Sequence, residues 1–294
     1  CEFTYLDPEP DGNFPNDVPD PLQAKQIKRL GEEVIKQNAD LGIIFDGDAD
    51  RAGFVDHKGQ EIIPSQVLAI IAQRKLRNNK NEKPLLMRNI CCSELLKHLV
   101  DDCKGKVELL DTPVGHGQIK LLMRSPKYKD RVVFAGEHSG HYFYPEFYYV
   151  DSAFLSSLYL IAESKELKAK EKNIAQALQD WREKYKWSGE INYLLPERND
   201  VYAVMKEIEE EFAKLPNTTR QGIMLDEKIG LFRAAKIEGE YNPEKMPYPD
   251  LKIHCQINKQ SGWWLVIRPS GNENKLRLNF EQWNLDEEST KKIK

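Results

Sequence analysis

The sequence has few cysteines, no long hydrophobic run and almost no excess of charge of either sign. Its five cysteines show no CxxC spacing and leave an odd number, which favours a reducing compartment over a disulfide framework. No apolar stretch reaches the roughly 18 residues that a membrane-spanning helix needs, and no signal peptide precedes the first predicted elements. We therefore expect a soluble, cytoplasmic protein.

Charge is balanced in this chain, since 43 basic and 47 acidic residues leave a formal net charge of only −4. Balanced charge gives no overall field that would attract nucleic acid or a membrane surface, so neither is expected as a partner. Any site for an anionic ligand must therefore be local. The 294 residues are enough for two or three domains with ample cores.

Apolar runs that alternate with helical patterns predict an α/β protein. Helical spacing begins at Asp20 and Pro21, a buried strand follows at 41–45, and a hairpin is expected at 52–63. Ser65 is suited to cap the next helix. Three strand candidates between 84 and 135 are separated by helical segments, and this alternation favours a mostly parallel sheet.

The pattern changes after Trp187 to short strands around one amphipathic helix, which is typical of a smaller α+β unit. We therefore predict two mixed α/β domains, with mostly parallel sheets flanked by helices, followed by a smaller α+β C-terminal domain. The predicted domains comprise residues 1–62, 63–187 and 188–294.

Three carboxylates at every second position follow the first predicted strand, and Arg51 adds a permanent cation beside them. The three are Asp46, Asp48 and Asp50. All-oxygen coordination selects Mg²⁺ or Ca²⁺, and ligands of α/β sheets gather where strands end. We predict a metal site here in preference to an ordinary acidic loop. An EF-hand is excluded, because it needs Gly and Glu where this chain has Arg51 and His57.

Two later loops place histidines next to glycines. His116 lies between two glycines and can act as an acid or base near neutral pH, although a plain loop histidine fits the pattern as well. The run GEHSGH at 136–141 follows an apolar strand, and the carboxylate of Glu137 is suited to accept from neighbouring sugar hydroxyls. The alternative is an ordinary strand-to-helix turn. We discount metal binding by His138 and His141, since no further ligands accompany them in the sequence.

The run RPSGNENK at 268–275 follows another predicted strand and offers the groups that hold a phosphate dianion. Arg268 is a fork-shaped cation, Ser270 is a hydroxyl donor, and the backbone around Gly271 presents free N–H groups. The alternative is a polar turn without function.

In this order the four loops resemble those of the α-D-phosphohexomutases, in particular the bacterial phosphomannomutase/phosphoglucomutase branch. By this resemblance DGDADR is the metal loop, VGHGQIK carries an active-site histidine, GEHSGH binds sugar and RPSGNENK binds phosphate. The similarity runs from about Asp11 to the end of the chain. The family has four domains, and this chain matches the second, third and fourth; the first, with its phosphoserine, has no match.

The resemblance implies an intramolecular phosphotransferase that interconverts hexose 1-phosphate and hexose 6-phosphate, of mannose and/or glucose, through a phosphoserine and a bisphosphorylated sugar. The ligands implied for Mg²⁺ are Asp46, Asp48 and Asp50. The catalytic residues implied are Arg51, His116 and His141. The residues implied for substrate binding are Lys120, Glu137, Ser139, Arg268, Ser270, Gly271 and Asn272. Without the serine domain, this piece alone is expected to be inactive.

The chain departs from the family pattern in two places. The family commonly has Asn, Thr and Pro where this chain has Gly271, Asn272 and Asn274, so the donors there are less certain than Arg268 and Ser270. Ile90 occupies a place that often carries Lys or Arg. Arg88 is not expected to replace that cation, because the two positions are a full strand step apart.

Two rival functions remain open at this point. One is a sugar-phosphate-binding or regulatory protein that has kept the binding loops and lost the catalytic domain. The other is a haloacid-dehalogenase-like phosphatase with an aspartate of DGDADR as nucleophile, although its lysine and Thr or Ser motifs find no place here.

Overall fold

The structure is a computed structural model, and it describes residues 1–9, 11–77, 79–213, 229–233, 250–257, 260–270 and 273–285. These residues form three β-sheets with helices packed against them. Within these ranges, no helix combines the length and the hydrophobicity that crossing a bilayer would require.

The first unit is one helix packed on a three-stranded sheet. Its elements are α1 Ala24–Gln37, β1 Leu41–Phe45, β2 Ala52–Asp56 and β3 Glu61–Ile62. The predicted strand and hairpin are confirmed. The predicted helix start at Asp20 and Pro21 is wrong: α1 begins at Ala24, and Asp20 accepts the Leu22 N–H in a turn ahead of it. All described pairs of this sheet are antiparallel, because short turns join its strands, so the prediction of a mostly parallel sheet is wrong for this unit.

The middle unit contains a mixed five-stranded sheet in the order β5-β4-β6-β7-β8. Its strands are β4 Leu85–Asn89, β5 Glu108–Thr112, β6 Val132–Gly136, β7 Tyr142–Tyr144 and β8 Val150–Asp151. Its helices are α2 Pro64–Arg77, α3 Glu94–Asp101, α4 His116–Arg124, α5 Ala153–Lys168 and α6 Ile174–Lys184, with a 3₁₀ turn at Pro145–Phe147. Strands β5, β4 and β6 are parallel, as predicted, and β7 and β8 add an antiparallel edge.

Ser65 does not cap α2, because that helix already begins at Pro64. The hydroxyl of Ser65 instead accepts the backbone N–H of Ser93 at 3.0 Å, which ties α2 to the start of α3. The predicted cap is therefore wrong: proline at a first helical position leaves no N–H without a partner there.

The C-terminal unit is an antiparallel sheet in the order β10-β11-β12-β13-β9 with one helix. Its elements are β9 Tyr185–Leu194, α7 Arg198–Ala213, β10 Ile229–Arg233, β11 Leu251–Gln256, β12 Gly262–Pro269 and β13 Lys275–Trp283. The α/β fold class with a smaller α+β unit is confirmed. Strand β9 begins at Tyr185, just before the predicted domain boundary at 187.

Shared cores fix the three units against each other. Phe54 and Ile62 of the first sheet belong to the same buried cluster as Leu86 and Phe134 of the middle sheet. A second cluster joins residues of the middle unit with tryptophans of the C-terminal sheet, including Ile90, Leu95, Trp264 and Trp283. Loops at the sheet ends are thereby held in fixed relative positions.

A buried ionic network also crosses from the middle unit to the C-terminal sheet. Glu94 Oε1 accepts from Arg88 Nη2 at 3.0 Å and from Lys252 Nζ at 3.1 Å. Glu281 Oε2 accepts from the Glu94 N–H at 2.9 Å and from Trp264 Nε1 at 3.0 Å. Burial, with the charge of Glu94 nearby, raises the pKa of Glu281 to about 7.

The raised pKa of Glu281 predicts a pH dependence of stability. The folded protein keeps a proton on Glu281 that the unfolded chain releases above the ordinary value of 4.5, so this contribution to stability is lost as pH rises towards about 7. Glu281→Gln is uncharged and retains an acceptor for both donors. We expect it to raise the free energy of unfolding by about 1–3 kcal/mol near pH 8, and by less near pH 5, in urea titrations.

The control for this experiment is Glu32→Gln, on the exposed surface of α1, which should change the free energy of unfolding by less than about 0.5 kcal/mol at either pH. A Glu281→Gln variant that is less stable than the unaltered protein near pH 8 would contradict the interpretation.

Candidate active site

The loop from Asp46 to Arg51 turns β1 back into β2 and is closed by its own end residues. Arg51 donates from its backbone N–H to Asp46 Oδ1 at 3.1 Å and from Nε to Oδ2 at 2.6 Å. Inside this turn, one carboxylate oxygen each of Asp46, Asp48 and Asp50 lies within 4.8 Å of the others. The three carboxylates therefore lie together, and their role as metal ligands stays a prediction.

The three carboxylates of this turn repel one another. Burial and the neighbouring charge of Asp46 raise the pKa of Asp50 to about 6. Although burial opposes it, the hydrogen bonds from Arg51 hold the pKa of Asp46 below its usual value. A divalent cation would relieve this repulsion, and three carboxylate oxygens are a donor set that suits a hard cation.

The GEHSGH loop joins β6 to β7 and is attached by its backbone to the aspartate turn. Arg51 and His141 form an antiparallel bridge, and the Ala52 N–H donates to Gly140 O at 3.4 Å. Gly140 has a φ of +89°, and a Cβ there would lie 3.2 Å from Ala52 O. Glycine is required at this position for the two loops to meet.

Glu137 lies under the GEHSGH loop, with 2% of its surface exposed. Its Oε1 accepts from Asn89 Nδ2 at 3.0 Å and from the Gly115 N–H at 2.8 Å, and its Oε2 lies 3.6 Å from His141 Nδ1. One carboxylate therefore contacts the ends of three strands. Sequence reasoning selected Glu137 for sugar hydroxyls and missed Asn89, which has no distinguishing motif around it.

His116 and His141 lie side by side, with ring centroids 6.0 Å apart and planes tilted by 18°. Ser139 Oγ is 2.8 Å from His141 Nδ1, and Asp50 Oδ1 is 3.5 Å from His141 Nε2. Burial lowers the pKa of His141, which favours the neutral ring at neutral pH. Lys120 Nζ lies 3.2 Å from His116 Nδ1 and completes this group.

Arg268 lies at the end of β12, opposite Arg277 of β13, and both donate to one carboxylate. Arg268 Nη2 is 2.8 Å from Glu190 Oε2, and Arg277 Nη1 is 3.4 Å from Oε1. Although burial opposes it, His138 and Arg268 lower the pKa of Glu190 to about 2. His138 Nε2 is 3.8 Å from Glu190 as well. Glu190 therefore links Arg268, at the start of the RPSGNENK run, to His138 of the GEHSGH loop.

Four further positions belong to this comparison, three in the run RPSGNENK and one, Arg88, in β4. Ser270 is buried beside Arg268, whereas Gly271 and Asn272 lie outside the described residues. Arg88 is fully buried and donates to Asp111 and Glu94, so it does not replace the cation that is missing at Ile90, as expected. The structure thus brings the described candidate residues into one connected cluster; their roles stay predictions.

Family models of phosphoglucomutase/phosphomannomutase match the chain in three consecutive parts. They are alpha/beta/alpha domain II at residues 1–59, alpha/beta/alpha domain III at 64–185 and the C-terminal domain at 253–294. Together with the fold and the site, these matches assign the chain to the class of proteins built from these three domains. The chain belongs to the phosphoglucomutase/phosphomannomutase family, within the α-D-phosphohexomutases.

Two relatives and one solved structure illustrate the similarity. The chain is 30% identical over 290 residues to a phosphomannomutase of Methanocaldococcus jannaschii, covering 99% of this chain and 53% of the relative. It is 30% identical over 272 residues to a phosphomannomutase of Escherichia coli K12, covering 92% of this chain and 50% of that relative. A solved structure of a phosphoglucomutase/phosphomannomutase family protein from Burkholderia thailandensis has the same fold, with a TM-score of 0.71 and 22% identity. The match covers 100% of this chain and 53% of that one. The chain thus spans about half the length of these relatives.

The joint between the two loops can be tested with a pair of glycine substitutions. Gly140→Ala and Gly105→Ala both place a side chain at positive φ, but a Cβ at Gly105 meets nothing within 4 Å. We expect a loss of about 1 kcal/mol for Gly105→Ala and about 2–3 kcal/mol for Gly140→Ala in urea unfolding. Hydrogen exchange of the Ala52 amide should accelerate only in Gly140→Ala. Equal losses with unchanged Ala52 exchange would contradict the joint.

Proposed function

We propose that this chain is the metal-, sugar- and phosphate-binding part of a phosphohexomutase that interconverts the 1-phosphates and 6-phosphates of mannose and/or glucose. One observation carries the proposal: a series of polar side chains, each at most 3.8 Å from the next, joins the aspartate turn to Arg268. The series runs through His141, Glu137, Asn89, His138 and Glu190. A phosphorylated hexose presents the matching series of a reacting end, ring hydroxyls and a phosphate.

Family membership and the names of the relatives support this reaction class. Relatives that share about half their length with this chain are named phosphomannomutase and phosphohexose mutases, and one that shares 30% of its length is named phosphomannomutase/phosphoglucomutase. Mannose and glucose differ only at the second carbon. The residues proposed to hold ring hydroxyls and phosphate do not distinguish the two sugars, so the proposal covers both.

Phosphoryl transfer depends mainly on positioning and on charge stabilisation. Mg²⁺ would be held by Asp46, Asp48 and Asp50, where it would neutralise charge on the phosphoryl group. Arg51 lies beside this cluster, paired with Asp46 and Asp20, and contributes a further positive charge.

Proton handling falls to the paired imidazoles. His141 Nδ1 lies 2.8 Å from Ser139 Oγ and its Nε2 lies 3.5 Å from Asp50 Oδ1, and burial lowers the pKa of His141, so the neutral ring can accept a proton from a sugar hydroxyl. His116 is its neighbour, and the Lys120 ammonium lies within reach of both His116 and Asp151. Lys120 is suited to orient His116 and an incoming anion.

Binding of the rest of the substrate falls to the GEHSGH and RPSGNENK loops. Glu137 and Ser139 would hold ring hydroxyls. The groups proposed for the phosphate that is not transferred are Arg268, Ser270, Gly271 and Asn272. The bisphosphorylated sugar must bind in two orientations. The same hydroxyl-binding residues and the same phosphate-binding residues would serve each orientation.

The phosphoryl carrier in this proposal is a serine of a further domain of the same polypeptide, since the matched family models are domains II, III and the C-terminal domain. The piece of chain described here is therefore expected to be inactive by itself. We retain the division into domains at 1–62, 63–187 and 188–294. A cytoplasmic location is proposed as well, in agreement with five cysteines that are all free thiols.

The test is a mutase assay of the complete polypeptide with mannose 1-phosphate and glucose 1-phosphate. Arg268→Lys replaces a bidentate cation by a point charge, so we expect kcat/KM to fall about 100-fold. Arg131→Lys, paired with Glu108 at the surface, is the matched control and should leave kcat/KM unchanged.

Asp48→Asn should abolish turnover in the same assay, because it removes an exposed oxygen ligand of the aspartate turn. A complete polypeptide that binds the hexose phosphates and never isomerises them would overturn the proposed activity in favour of a sugar-phosphate-binding protein.

A further inference from the structure

A second set of metal-ligand atoms lies beside the aspartate turn. One carboxylate oxygen of Asp50, one ring nitrogen of His141 and one carboxylate oxygen of Asp151 all lie within 4.8 Å of one another. Asp50 is the only residue that this set has in common with the group of Asp46 and Asp48. The second set therefore combines an imidazole with two carboxylates, whereas the first contains carboxylates alone.

Asp151 provides an independent reason to expect a ligand here. Its side chain is 3% exposed, and its Oδ1 accepts from Lys120 Nζ at 2.9 Å. Its Oδ2 is buried, and no hydrogen-bond donor reaches it from any part of the chain that the structure describes. A buried carboxylate oxygen without a partner costs about 1–3 kcal/mol or more, so a cation that binds it would remove a real penalty.

His141 already has the arrangement of a metal-ligating histidine. Its Nδ1 is engaged by Ser139 Oγ at 2.8 Å, with Glu137 Oε2 at 3.6 Å, which leaves Nε2 towards Asp50. Metal-bound imidazoles are commonly fixed in this way through the second nitrogen. The 3.5 Å between His141 Nε2 and Asp50 Oδ1 matches the separation of about 3.4 Å between two ligands of a tetrahedral metal at about 2.1 Å.

We propose that Asp50, His141 and Asp151 form a site for a divalent transition metal, distinct from the three-aspartate site and bridged to it by Asp50. An imidazole with two carboxylates suits Zn²⁺, Mn²⁺ or Co²⁺ and disfavours Mg²⁺, which prefers oxygen and water. The inference concerns metal binding alone and does not depend on the proposed mutase activity; a metal on His141 Nε2 excludes proton transfer at that nitrogen while it is bound.

The three ligands come from different parts of the fold, and this has a consequence for stability. Asp50 precedes β2 of the first sheet, His141 precedes β7, and Asp151 ends β8 of the middle sheet. A bound metal joins the two sheets and binds only the folded chain, so it should raise the melting temperature in proportion to the logarithm of its concentration. The positive charges of Lys120 and Arg51 beside the site oppose the cation and limit its affinity.

The experiment is a Co²⁺ titration of the complete polypeptide, followed by calorimetry and by visible absorption. We expect two Co²⁺ ions per chain at saturation, one of them with the stronger absorption of a low-coordinate site that contains nitrogen. Asp151→Asn is almost isosteric, and it should weaken the absorbing ion at least tenfold, or about 1.4 kcal/mol, while the other ion still binds.

The matched control is Asp48→Asn, which belongs to the three-aspartate group alone and should leave the absorbing ion in place. A single Co²⁺ per chain, or an absorbing ion that is lost in Asp48→Asn and kept in Asp151→Asn, would overturn the proposal.

A second measurement needs no variant and covers the case in which Asp151→Asn fails to fold. X-ray absorption of the unaltered protein loaded with two equivalents of Zn²⁺ should show imidazole scattering from about one histidine for every two metal ions. A spectrum with oxygen ligands alone would overturn the site.

Discussion

The buried carboxylate of Glu137 is the contact on which the candidate site depends. It accepts hydrogen bonds from Asn89 at the end of β4 and from Gly115 before α4, and it lies beside His141 before β7. A buried carboxylate is stable only when its oxygens are paired, so the ends of three strands must stay together for this charge to remain buried. The positions of both candidate catalytic histidines follow from it.

A second carboxylate, Glu190, extends the same principle to the C-terminal sheet. It receives Arg268 and Arg277 from neighbouring strands and lies beside His138 of the GEHSGH loop. The cationic groups that would grip a phosphate are thereby held in place before any ligand arrives. The hydrophobic cluster around Trp264 and the network of Glu94 and Lys252 keep that sheet against the middle unit.

Much of this could be predicted from the sequence, because local signals were strong where they mattered. The apolar strand before Asp46, the glycines around His141 and the polar run after β12 each marked a loop at a sheet end. The antiparallel pairing of β1 with β2 was missed, although a short turn joins the two strands. The burial of Ser65 could not be predicted, since it depends on long-range packing. Glu190 and Asp151 were not predicted as site residues for the same reason. Each is a single acidic residue in a strand without a motif, and its partners come from other elements of the fold.

The central claim is that one cleft holds both ends of a phosphorylated hexose, and one measurement tests it most directly. A crystal structure of the complete polypeptide with glucose 1-phosphate should show a single ligand molecule, with its phosphate on Arg268 and its ring hydroxyls at Glu137 and Ser139. The account would be contradicted if the phosphate bound elsewhere, or if Glu137 and Arg268 contacted different ligand molecules.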